Sequence, residues 1–174
     1  MAETASFDVI VVGGGIAGST LGGVLARAGL GVLVVEREAR FRDRVRGEGT
    51  WPWGVAEAYA LGLHDLLCEA GTIPLHAVNR FEGRAFVETT VATEPDSNVE
   101  LLSFFHPQFQ EAAFTWAAAQ GATTLRPAKA VAFAANGKPS LTVATSCSTP
   151  WKSGVSASTA VAGVRCLIAR MQAA

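Results

Sequence analysis

Apolar and polar positions change period several times along this chain, and each change marks a predicted element. Residues 9–12 are an unbroken β-branched run, the form of a strand buried on both faces. A helical stripe follows at Ala17, Leu21, Val24, Leu25 and Ala28, and Gly29 stops it. Residues 32–35 repeat the strand pattern and end on Glu36. Pro52 opens a helix broken by Gly62, and a shorter helical stretch over 63–70 is closed by Gly71. From residue 73 to 105 the texture is strand-like, with strands predicted over 76–81, 84–90 and 99–104 and turns at 82–83 and 95–98. A helix over 107–120 carries Phe109, Ala113, Trp116 and Ala117 on one stripe and ends at Gly121. A short strand over 123–126 precedes two strands, 129–135 and 140–145, that flank the hairpin signal Asn136-Gly137. Beyond residue 146 the period is lost among small polar residues, although Val164, Leu167, Ile168 and Met171 have the spacing of a short terminal helix.

The first two strands and the helix between them enclose a glycine-rich turn, Gly13-Gly-Gly-Ile-Ala-Gly18. In a dinucleotide-binding βαβ unit the first glycine permits the tight turn and the second lets backbone approach a pyrophosphate. The third lets helix and strand pack closely. Gly13, Gly15 and Gly18 fill these positions, and the helix opening after Gly15 points its unpaired N–H groups at the phosphates. A carboxylate at Glu36 accepts hydrogen bonds from both ribose hydroxyls of an adenosine and repels a 2′-phosphate, which disfavours NADP at this site. Strand, turn, helix, strand and acid stand in register, which favours a nucleotide site over a glycine turn of some other α/β protein.

Composition narrows the classes. Of 174 residues, 49% are hydrophobic and 17% charged, so the chain is globular. A net charge of −1 offers no field for nucleic acid or an anionic membrane. The first residues carry acids where a secretory signal needs a basic region, and no stretch reaches the length of a membrane span. Three cysteines without a CxxC pair predict reduced thiols and a cytoplasmic protein. His64, His76 and His106 stand apart from other ligand-type residues, so no metal is expected, and no nucleophile–base motif occurs. Residues 37–46 hold five arginines interleaved with acids. Most read as a solvated loop, while one or two can clamp a pyrophosphate with the guanidinium fork. Trp51 and Trp53 either pack or lie over a flat heterocycle.

In combined order these residues resemble the N-terminal part of class A flavin-dependent monooxygenases, the p-hydroxybenzoate-hydroxylase-like group of the glutathione-reductase-type FAD superfamily. The resemblance rests on the Gly13–Gly18 turn, the strand end at Glu36-Arg37, and Arg46-Gly-Glu48 leading into a helix. It continues through the helix from Pro107, the Gly121-Ala122 strand and the Asn136-Gly137 hairpin. It implies a Rossmann-like α/β fold with an antiparallel β insertion and a β-hairpin. It also implies extended FAD, with pyrophosphate on the turn, ribose on Glu36, Arg37 beside it and Arg46 near the phosphates. Such enzymes take electrons from NADH or NADPH and transfer one oxygen atom of O₂ to a small organic substrate; the flavin supplies that chemistry.

Two departures stand out. Relatives carry a cofactor-binding arginine at the start of the helix after the insertion, where this chain reads His106-Pro-Gln-Phe-Gln110. Gln110 is therefore either a replacement hydrogen-bonding group to flavin or phosphate or an ordinary solvated helix residue. The GADG-like and later Gly-Asp motifs due after the hairpin do not occur. The expectation is a partial FAD-binding domain over residues 1–145, with an insertion over about 73–105. An atypical tail over 146–174 is expected to be translated out of the ancestral frame in a truncated member. Two alternatives remain open: another FAD-dependent oxidoreductase or reductase, and a non-catalytic fragment that binds only an ADP moiety.

Overall fold

The computed structural model describes residues 5–44, 49–91, 100–134, 140–145 and 158–162. Its chain divides into two compact units, residues 1–41 with 113–174, and residues 42–112.

The first unit is built on three parallel strands. β1 (Val9–Val12) pairs with β2 (Val32–Val35) in the register Val9↔Val32 to Val12↔Val35, and β2 pairs with β8 (Thr123–Leu125). Parallel strands are buried on both faces, and their side chains divide by parity. Val9, Val11, Val32 and Val34 pack with Phe114, Ala117 and Ala122, and with Leu21 and Leu25 of helix α1 (Ile16–Arg27). Ile10, Leu33 and Val35 face the other way, onto Ala128, Leu141 and Val143. Those last residues belong to an antiparallel sheet of β9 (Ala128–Ala134), β10 (Ser140–Thr145) and β11 (Ser158–Ala162), with β10 central. One parallel sheet between helices and a second sheet explains why the valine runs show no polar alternation. Each fully buried valine contributes about 1.5–3 kcal/mol.

α1 packs Leu21 and Leu25 of its apolar stripe on the core and buries small residues more deeply beside them. Its fully buried residues are Ser19, Gly22 and Gly23, and the expected stripe of Leu21, Val24 and Leu25 is only half-buried. The cause is close approach: a Cβ at Gly22 would overlap Val34, and one at Gly23 would overlap the Trp116 ring. Small residues, not leucines, set the helix-to-sheet distance.

The second unit holds helices α2 (Pro52–Ala60) and α3 (His64–Glu69). Its three-stranded sheet has the order β3 (Gly49–Thr50), β7 (Leu101–Ser103), β4 (Ile73–Leu75), all antiparallel. A separate hairpin joins β5 (Ala77–Glu82) to β6 (Ala85–Val91) through a turn at Gly83. The strand expected over 99–104 therefore does not continue from the hairpin; as β7 it pairs with β3 and β4. Helix α4 (His106–Ala119) begins in this unit, and residues 113–119 belong to the first. The turns expected at 95–98 and at Asn136-Gly137, and the helix expected at Val164–Met171, lie outside the described residues. The strands on either side of Asn136-Gly137 do pair, from Ser140↔Ala134 to Thr145↔Ala128. β11, antiparallel to β10, lies where the sequence shows no period. Among the described residues no helix is long and apolar enough to cross a membrane, and no three His, Cys, Asp or Glu side chains group as a metal site.

Candidate functional site

At the C-terminal end of β1 the chain leaves the ladder in one step: Gly13 N–H donates to Val35 O at 2.8 Å. Gly13 then has φ +108°, a conformation that L side chains rarely adopt, and a Cβ placed there would meet nothing within 4 Å. Gly18 is the opposite case. Its Cβ would overlap the Gly13 carbonyl oxygen, so only glycine lets α1 rise this close behind the turn. Gly15 is the N-cap of α1 in extended conformation, and neither a side-chain cap nor a first-turn acid serves this helix end. The first N–H groups of α1 have no intrahelical partner, and the positive end of its dipole adds to their attraction for an anion.

Glu36 is placed by backbone. Its N–H donates to Leu125 O at 2.9 Å, and its carbonyl accepts from Ala128 N–H at 2.7 Å. Its side chain is 7% exposed. Oε2 accepts from Gly14 N–H and Oε1 from Glu38 N–H, each at 2.7 Å. The other polar group of Gly14 is also taken, since buried Ser19 donates Oγ–H to Gly14 O at 2.8 Å. A Cβ at Gly14 would lie 2.6 Å from the Phe114 ring and 2.8 Å from Glu36 Cβ. The turn is thus pinned at both polar atoms of Gly14 and closed behind by an aromatic ring. A carboxylate has about four acceptor positions, so Glu36 keeps acceptor capacity for two hydroxyls after these two bonds. Open space at Gly13, an uncapped helix N-terminus and a carboxylate at the neighbouring strand end suit a diphosphate joined to a ribose.

The residues singled out in the sequence do not all meet here. Gly13, Gly15, Gly18 and Glu36 come together at the ends of β1 and β2. Arg37 follows directly, its side chain mostly exposed and its Nε 3.4 Å from Glu38 Oε1. Arg46 lies outside the described residues. Gln110 belongs to the second unit, where its Oε1 is 3.0 Å from His106 Nδ1.

Several contributors were not singled out. Gly14 and Ser19 sit inside the motif, but their roles depend on which backbone atoms face Glu36 and the helix. Phe114 is adjacent to the expected stripe of α4, and it is buried in place of Trp116. Arg126, after β8, lies over the rings of Phe114 (4.7 Å) and Phe41 (5.2 Å), which meet edge to face at 6.1 Å. A sequence signal existed only for Gly14, as the middle of three successive glycines.

Known proteins are similar to this chain. The family described as FAD binding domain matches residues 6–157. Squalene monooxygenase of Mus musculus is 33% identical over 105 residues, 59% of this chain and 18% of that enzyme. Menaquinone reductase of Mycobacterium tuberculosis is 45% identical over 64 residues, 37% of this chain and 16% of that protein. The chain thus spans less than a fifth of the length of these relatives. Among solved structures, the myxobacterial chondrochloren halogenase superposes with a TM-score of 0.74 at 22% identity, covering 94% of this chain and 37% of that one. The anhydrotetracycline hydroxylase of Streptomyces rimosus gives 0.71 at 19% identity, covering 93% and 31%. Likeness at this identity speaks for the fold, which is the Rossmann-like α/β fold expected. With most of its length matched, the chain belongs to the FAD binding domain family.

Proposed function

We propose that this chain supplies the nucleotide-binding part of an FAD-dependent monooxygenase that uses NADH or NADPH and O₂ to hydroxylate a small organic substrate. The observation that carries the reading is the buried Glu36 carboxylate. It is tied to Gly14 and stands beside the uncapped end of α1. In this reading the pyrophosphate lies on Gly13, Gly15 and Gly18, with N–H groups of α1 as donors. The adenosine ribose donates to Glu36, and Arg37 and Arg46 balance phosphate charge. Gln110 donates its amide N–H to flavin or phosphate. When bound, FAD supplies the redox chemistry; this chain's own groups bind, orient and exclude water. The partial domain runs over residues 1–145, and 146–174 lie outside the ancestral frame. A GADG-like strand encoded in another frame downstream of Thr145 is the expected finding, and its absence from both frames removes that division.

The test is the colour and stoichiometry of the purified protein. Flavin retained near one equivalent, lost in Gly15→Val because the side chain fills the pyrophosphate position, supports the reading. Equal flavin content in that variant would sink the site assignment. NAD(P)H-dependent O₂ uptake by the flavin-loaded protein tests the activity. A second reading, an FAD-dependent reductase, is favoured by the similarity to menaquinone reductase; reduction of a quinone without O₂ uptake distinguishes it. Micromolar ADP binding with no flavin retained marks a fragment that holds only the ADP half.

A further inference from the structure

The three parallel strands of the first unit end level with one another. Val12 pairs with Val35 and Val35 with Leu125, so Gly13, Glu36 and Arg126 leave the three C-terminal ends side by side. Backbone bonds carry the ladder to that level: Gly13 N–H donates to Val35 O, and Glu36 N–H donates to Leu125 O. Strands about 4.8 Å apart put the Arg126 backbone one step beyond Glu36 and two steps from Gly13. Aromatic rings fix the Arg126 side chain. Its Cζ lies 4.7 Å from the centroid of the Phe114 ring and 5.2 Å from that of Phe41. Phe114 is buried, and the same ring stands 2.6 Å from where a Cβ of Gly14 would lie. Arg126 itself is only half-buried.

We propose that Arg126 receives the base of the bound nucleotide, stacking its guanidinium plane on a purine ring. This role rests on the nucleotide reading of the Gly13–Gly18 turn and extends it by one strand. In open α/β sheets ligands bind outside the carboxyl ends of the strands. A nucleoside diphosphate presents diphosphate, ribose and base in that order. With the diphosphate on the turn after β1 and the ribose on Glu36 after β2, the base falls at the end of β8, where Arg126 stands. Arginine suits that place, because its planar and weakly hydrated cation stacks on aromatic rings. The two phenyl rings hold it by cation–π attraction, so less side-chain freedom is lost when a base joins the stack. The fused rings of a purine make more contacts with the plane than the single ring of a pyrimidine. Lysine, a point charge on a flexible stem, offers no such plane.

The full chain, freed of bound nucleotide by dialysis, is titrated calorimetrically with ADP, UDP and inorganic pyrophosphate. The wild-type chain should bind ADP more tightly than UDP by about tenfold. Arg126→Leu, which keeps an apolar stem on the rings, should weaken ADP binding by about tenfold to a hundredfold. Its pyrophosphate affinity should be unchanged, so the preference for ADP over UDP collapses. Arg126→Lys, which keeps the charge and loses the plane, should lose the same preference. The lysine variant decides the matter if the leucine variant melts below the assay temperature. No preference for ADP in the wild type, a preference unchanged in Arg126→Lys, or equal losses there for ADP and pyrophosphate overturns the proposal. A wild-type chain that binds no ADP removes the nucleotide reading itself, and this role with it. ADP bound equally by wild type and both variants removes only the role of Arg126.

Discussion

Two glycine-closed reversals of this chain make an instructive pair: the turn from Gly13 to Gly18 and the β5–β6 hairpin at Gly83. Both need positive φ, +108° at Gly13 and +62° at Gly83, and a Cβ at either would meet open space. Behind the first turn, however, Gly18 and Gly14 have no room, and the polar atoms of Gly14 are bound by buried Glu36 and Ser19. Around the hairpin turn, residues 79–89 are exposed. Phe81 and Phe86 touch edge to face yet remain 57% and 58% exposed. Its polar links, Arg80 to Glu82 and Glu88 and Thr89 to Asn79, are exposed side-chain pairs. The two that cross between the strands, Arg80–Glu88 and Thr89–Asn79, are worth about 0.2–1 kcal/mol each. A local glycine signal therefore reports chain reversal in both places, and only the surroundings make one of them a rigid site.

The contrast is tested most severely at Gly18. Gly18→Ala should destabilise the first unit by more than about 4 kcal/mol, because the new methyl meets backbone that cannot swing away. A shift of the urea midpoint no larger than that of Gly83→Ala would remove the distinction. Phe114→Ala comes next, at about 3–5 kcal/mol for a buried ring, against less than about 1 kcal/mol for exposed Phe81→Ala; paired thermal melts check both.

Glu36→Gln should cost about 1.5–3 kcal/mol, because an uncharged acceptor replaces a charged one and an NH₂ group turns toward a backbone donor. Calorimetry with ADP should show a loss of affinity beyond that explained by unfolding. Equal ADP affinity at a temperature where both proteins are folded would confine Glu36 to holding Gly14. At the small end, Arg80→Ala in the hairpin should change stability by less than about 1 kcal/mol, and added salt should shrink even that. An effect as large as that of Glu36→Gln would show the hairpin to be more than a surface feature.

Much of this molecule was legible before any coordinates. The valine runs at 9–12 and 32–35, the helix between them, and Gly13, Gly15, Gly18 and Glu36 are local patterns whose physics repeats wherever they occur. The helix over 107–120 and the strands flanking Asn136-Gly137 were legible for the same reason: period and turn chemistry are properties of neighbouring residues. What the apolar stripe of α1 did not reveal is that its most deeply buried residues are small ones. At Gly22 and Gly23 the deciding quantity is volume, because Val34 and Trp116 approach from distant parts of the chain. The pairing of β7 with β3 and β4 was not legible for a related cause, since strand pairing depends on which edge is available in space.

The sequence by itself determined that a nucleotide-type βαβ unit would form and which glycines and acid would lie at its head. Only the tertiary structure decided that Glu36 also holds the turn through Gly14 and that Phe114 closes it from behind. The reason is range. Backbone preference and apolar period act within a few residues and can be read from the string. A hydrogen bond or ring contact across 22 residues or more, such as Gly14 to Glu36, exists only once the fold has brought its partners together.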